Sequence, residues 1–257
     1  MRVVKRLFDF YLNSSLHVAC AVWCLLYITY LTEALPYSKS YGFTVLFGTV
    51  VGYNFLKYIV VFLKEKWDFG FYGPILLLSG IAGIGLLHFV LDLTQSVVMQ
   101  LVYLGALLLV YPYLRRFGWL KFGLVVLVVT YVTVHIPYQS VKWLPWDYYI
   151  SLLQRVLILS SLLIPFEIMD STTDPQSMNT LPHLLGINAS KILGIVLVIP
   201  FLILEIFKAH PSYAVLPVAL ITVFSIWFTT LKRNPYYTSF WVEGIPIVWL
   251  LLALILL

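Results

Sequence analysis

Residues 167–186 read "EIMDSTTDPQSMNTLPHLLG" and interrupt an otherwise apolar chain. Glu167, Asp170 and Asp174 fall within eight residues of a protein that has 11 acidic residues in all. Apolar runs near 148–168 and 188–207 flank the stretch, and each has the length of a membrane-spanning helix. If those runs are spans, this is the polar connection between two of them. Composition decides that point.

The chain has 257 residues, 61% of them hydrophobic and only 11% charged. Its mean hydropathy is +0.96. Soluble domains carry about a quarter charged residues. So low a charge with long apolar runs predicts an all-α polytopic membrane protein. The formal charge of +5 then reports topology and does not point to nucleic acid. Cys20 and Cys24 are the only cysteines, too few for a disulfide framework or a metal site of their own. They read as small buried apolar residues. The start, "MRVVKRLFDFYLNSSLHVAC", is basic but lacks a compact apolar core before a small-residue cleavage site. It reads as a retained cytoplasmic start and not a signal peptide.

Runs of about 20 apolar residues fall near 12–35, 43–64, 71–90, 95–114, 117–137, 148–168, 188–207, 212–231 and 240–257. Nine spans are expected, in one transmembrane domain covering 1–257. With the N-terminus inside, the inner segments hold 11 Lys and Arg residues and the outer segments hold Lys39, Lys142 and Lys208. That bias predicts a cytoplasmic N-terminus and an external C-terminus. Trp143 and Trp146 would anchor the outer interface; Trp67, Trp119 and Trp241 would anchor the inner one. The stretch at 167–186 becomes the longest inner connection.

Were the sixth helix to continue past Ile168, Glu167, Asp170 and Asp174 would stand at i, i+3 and i+7, on one face. Carboxylates gathered in this way repel one another by a few tenths of a kcal/mol per pair, roughly. A cation relieves this, and oxygen-only ligands suit Mg²⁺ or Ca²⁺. The alternative is a solvated helix end, with Pro175 stopping the helix and Pro182 and Gly186 turning the chain. Against it, carboxylates at a helix C-terminus oppose the macrodipole.

The run Glu167, Asp170, Asp174, followed by Thr180-Leu181-Pro182 and Gly186, resembles the second acidic signature of the UbiA-type intramembrane prenyltransferase superfamily. The likeness extends to "IPFE" upstream and "INASKILG" downstream. It implies a bundle of nine helices with the active side cytoplasmic, in a bacterial inner (plasma) membrane. It also implies transfer of a prenyl group from an allylic diphosphate to a lipophilic acceptor, with magnesium on Asp170 and Asp174 and Glu167 beside the substrate. The family's first acidic signature is absent. Its place is taken by "GYNFLKYIVVFLKEKW", where either alignment leaves Asn54, Phe55, Lys57 or Tyr58 in place of the acids.

Two cations fall inside spans, where charge costs at least about 2.5 kcal/mol. The ammonium of Lys57 would contact diphosphate directly and replace the lost metal, with Asn54 and Tyr53 beside it. Alternatively it snorkels to the inner surface or pairs with a carboxylate such as Glu243. Arg155 is expected to pair with Glu33 or Glu205, or to snorkel. His183 follows Pro182 close to the acidic run. Two other readings remain: a non-catalytic protein of the same fold that binds an isoprenoid or a partner, and a transporter with Lys57 and Arg155 in a solute path.

Overall fold

The computed structural model describes residues 2–64, 68–114, 118–172 and 179–256. Asp174 and Pro175, with Trp67, lie outside the described residues, as does the side chain of Trp119. Among the described residues there are helices and turns but no strand. Five helical stretches are long and apolar enough to cross a membrane: Phe69–Val90, Leu120–Ser140, Trp146–Asp170, Ile187–Glu205 and Tyr237–Leu256. A sixth is a bent pair, Val3–Asn13 and Leu16–Thr32, meeting at 54°. The runs expected near 43–64, 95–114 and 212–231 are also helical, but they stand outside that set. Such a set of helices is that of an integral membrane protein.

By their contacts the residues divide into two compact units, Met1–Trp23 with Tyr37–Tyr113, and Cys24–Pro36 with Leu114–Leu257. The first unit holds α1 (Arg2–Asn13), the first part of α2 (Leu16–Thr32), α3 (Lys39–Lys64), α4 (Phe69–Val90) and α5 (Gln95–Leu114). α3 and α4 pack closely. Ala19, Val50 and Ala82 form a small-residue core there, with Leu46, Phe47 and Leu78 around it. Phe43, Phe47 and Phe89 stack along the same seam. A Cβ at Gly85 would come within 2.9 Å of the Phe47 ring, so this approach needs glycine. The opposite side of α4 is apolar too: Leu77, Ile84 and Leu87 are each about 70% exposed, as lipid-facing residues are.

The first expected span, near 12–35, is not continuous at its start: the structure breaks the helix between α1 and α2. Ser15 takes a left-handed backbone (φ 62), which costs a non-glycine residue about 1 kcal/mol or more and ends the helix. A break inside an apolar bundle frees carbonyls that must find donors. Asn54 Nδ2 donates to Ser14 O at 3.0 Å, and the Tyr58 hydroxyl donates to Asn13 O at 2.7 Å. Both donors come from α3.

The second unit is built on α7 (Trp146–Asp170) and α9 (Ile187–Glu205), with α6 (Gly118–Thr130), α8 (Leu181–Leu185), α10 (Val215–Trp227) and α11 (Ile245–Leu256) around them. A π-helical turn at Tyr131–His135 and a 3₁₀ turn at Ile136–Ser140 extend α6. Pro137 has no N–H to continue an α ladder, which accounts for the change of pitch. α7 and α9 meet at Gly194. A Cβ there would lie 3.1 Å from both Ile164 and Ile226. Across this contact Ser161 Oγ donates to Gly194 O at 3.0 Å. Close backbone approach over a small residue, with a hydroxyl bridging, is how apolar helices gain packing where lipid offers no hydrophobic drive. Ile164, Ile168 and Ile226 are fully buried around it.

Candidate functional site

Both ends of the second unit are polar. The end formed by the termini of α2, α9 and the start of α7 holds a buried ionic network. Lys208 Nζ lies 3.1 Å from Glu33 Oε1 and 3.8 Å from Glu205 Oε2. Glu33 also accepts from the hydroxyls of Tyr138 and Ser151. Glu205 accepts from Gln154 Nε2 at 2.8 Å and from the Ser212 backbone N–H. Arg155 departs from its expected pairing. Its guanidinium donates to Leu25 O at 2.8 Å and Thr29 Oγ1 at 3.0 Å, and its Cζ lies 5.4 Å from the centre of the Trp249 ring. It makes no ion pair among the described residues; Lys208 takes both carboxylates instead. The set holds two cations and two anions and is neutral in sum. A cavity of about 20 Å³ beside it has room for one water. These groups satisfy one another, which is the behaviour of a structural lock.

The opposite end carries the stretch at 167–186. α7 runs to Asp170, so Glu167 and Asp170 do share its last turn as the spacing predicts. Glu167 is 5% exposed, while the Asp170 side chain is 53% exposed. Between them sits a residue the sequence reading counted only as an inner-side charge. Lys121, near the start of α6, places Nζ 3.5 Å from Glu167 Oε1 and 3.7 Å from Asp170 Oδ2. The cation that relieves their repulsion is thus, for these two carboxylates, an ammonium. Its signal in the sequence was an isolated Lys one turn into an apolar run, beside a Trp.

The chain then returns over this end. Ser171 Oγ donates to Ile168 O and closes α7. α8 follows Thr180, and His183 Nε2 lies 3.0 Å from Ser171 O. That carbonyl only accepts, so Nε2 carries a proton. His183 Nδ1 and Thr180 Oγ1 are both buried with no hydrogen-bond partner among the described residues. Gly186, at φ 84, makes the turn into α9 that other residues resist. Ser190 Oγ donates to its carbonyl.

The residues expected on α3 lie in the first unit. Asn54 is 4% exposed and fully engaged: Nδ2 donates to Ser14 O and to Ser79 Oγ at 2.9 Å, and Oδ1 accepts from Ser15 Oγ at 2.6 Å. Its environment is the α1–α2 break. Lys57, one turn on, is exposed, with Nζ 5.3 Å from the Tyr58 ring centre. Tyr53 is 37% exposed.

The donor chemistry at the end of α7 suits a hard divalent cation: oxygen ligands only, one of them open to solvent. Among the described residues no three His, Cys, Asp or Glu side chains gather at metal-binding distance. The third carboxylate of the run, Asp174, lies outside those residues. No known protein family, curated protein or solved structure matches this chain.

Proposed function

We propose that the chain is a nine-span membrane protein, N-terminus cytoplasmic, that transfers a prenyl group from an allylic diphosphate to a lipophilic acceptor. The reacting end is that of α7. The observation that carries the reading is Lys121 held between the buried Glu167 and the half-exposed Asp170 at the end of α7. An ammonium fixed by two carboxylates is pre-oriented, so it meets a phosphate oxygen without rearranging. Asp170, with Asp174, would hold magnesium. The metal, when bound, offsets the negative charge that builds on the departing diphosphate. His183 Nδ1 and Thr180 Oγ1 supply further polar contacts at the same end. The apolar helices accept the isoprenoid tail and keep water from the allylic cation.

Asn54 favours a second reading. Its hydrogen-bonding atoms serve the α1–α2 break and Ser79 of α4, and the acids of the first family signature are missing. A protein that binds a prenyl diphosphate without turning it over fits both facts. One experiment separates the two. Purified protein in detergent is incubated with allylic diphosphates of several lengths, a lipophilic phenol and Mg²⁺, and diphosphate release is measured. Release that falls at least about tenfold in Asp170→Ala supports transfer, one lost charge contact being worth about 1.4 kcal/mol or more. Release unaffected by that change removes the site assignment. Binding without release leaves the second reading.

A further inference from the structure

Next to the Lys121 end, the C-terminus of α10 carries a cluster of cations that the transfer reading does not use. Lys191, in the second turn of α9, donates to Trp227 O at 2.9 Å. Arg233 Nε donates to the next carbonyl, Phe228 O, at 3.0 Å. Lys232 precedes Arg233 and is exposed. Two positive side chains thus converge on consecutive carbonyls at the negative end of a helix, which fixes their place. Capping uses one donor of each. An ammonium has three donors and a guanidinium five, so most point elsewhere. None of the three cations forms an ion pair among the described residues. The helix terminus alone would be served by one of them.

The surrounding side chains are those of a membrane interface. Trp227 is 65% exposed and Trp241 is 68% exposed. Arg233 lies over the Tyr237 ring at 5.1 Å and, with Trp241, lines a shallow open pocket. Amphipathic rings at headgroup depth beside uncompensated cations form the surface that recognises an anionic lipid. We infer that Lys191, Lys232 and Arg233 bind the phosphate of an anionic phospholipid headgroup, with Trp227 and Trp241 flanking its glycerol. The occupant is a bilayer lipid and not free phosphate, because the aromatic rim has nothing to offer a small hydrated ion.

The test uses the whole chain in detergent with equal amounts of dioleoyl phosphatidylglycerol and dioleoyl phosphatidylcholine. Retained lipids are counted by native mass spectrometry. Retention of the phosphatidylglycerol should exceed that of the phosphatidylcholine by about tenfold or more, at about fivefold per cation near the surface. Lys232→Ala and Arg233→Gln should each cut the preference about fivefold. Lys232 makes no ion pair among the described residues, so its variant decides the matter should Arg233→Gln not fold. Equal retention of the two lipids overturns the inference, and so does a preference unchanged in Lys232→Ala. Loss of the bound lipid to an equal concentration of inorganic pyrophosphate would make this a free-phosphate site and overturn it too.

Discussion

A charge buried in an apolar bundle is tolerated only where its neighbours are arranged for it, and this chain shows two such arrangements. Glu33 is tied to Lys208, Tyr138 and Ser151. Removing it leaves an ammonium of 8% exposure facing, among the described residues, only the Glu205 carboxylate at 3.8 Å. Arg155 instead spreads its charge over a carbonyl, a hydroxyl and an indole. Breaking a buried ion pair by removing one partner costs about 3–5 kcal/mol. Without Arg155, Leu25 O still accepts from Thr29 Oγ1, so an apolar exchange there should cost about 1.5 kcal/mol, the lower worth of a charge-assisted hydrogen bond. Glu33→Leu should therefore lower the thermal-unfolding midpoint sharply, and Arg155→Met by no more than half as much. Equal losses would place Arg155 inside the ion pair network. Lys121 illustrates the same physics at the other end. It sits within 4 Å of both carboxylates, and its proximity to Glu167 comes from a helix crossing that no spacing in the sequence encodes.

At the scale of elements, the α7–α9 seam depends on the absence of one methyl group. Adding Cβ at Gly194 brings it to 3.1 Å from Ile164 and Ile226, with Ser161 bonded to the Gly194 carbonyl. Gly194→Val should cost about 1–3 kcal/mol, the range for overpacking a tight core. Gly80→Ala, in mid-helix where nothing lies within 4 Å, should not destabilise and should gain up to about 0.5–1 kcal/mol by the same thermal assay. Helix existence was legible in the apolar runs, because lipid leaves a chain little choice but to satisfy its backbone locally. The end of α7 was legible to within a turn, from where the apolar run stops near Ile168; the structure carries the helix to Asp170. The break at Ser14–Ser15 was not. Two serines in an apolar run look like ordinary helix residues, and only the donors that Asn54 and Tyr58 bring from α3 make the break affordable. Asn54 therefore read from sequence as a substrate contact, while its observed bonds are to the helix break.

In the whole molecule, chemistry is unevenly placed. One end of the second unit holds a buried, neutral set of ions around Glu33, Glu205, Lys208 and Arg155, with Asp147 and the exposed Lys142 at its edge. The other bears Lys121, Asp170, His183 and the cations of Lys191 and Arg233, several of them open to solvent. A membrane protein that met an anionic, lipid-tailed substrate from one side would need this asymmetry: positive charge and an open carboxylate at one face, a satisfied lock at the other. The orientation that puts the open end in the cytoplasm is the one the Lys and Arg bias of the loops predicts. The most direct test is equilibrium binding of farnesyl thiodiphosphate, an unreactive prenyl diphosphate analogue, to the purified protein with Mg²⁺. The native chain should bind it, and Lys121→Gln and Asp170→Asn should each weaken binding by about tenfold or more, the worth of one charge-assisted contact. Equal affinity in all three proteins, or no binding by the native one, would contradict the assignment of the α7 end as the diphosphate site.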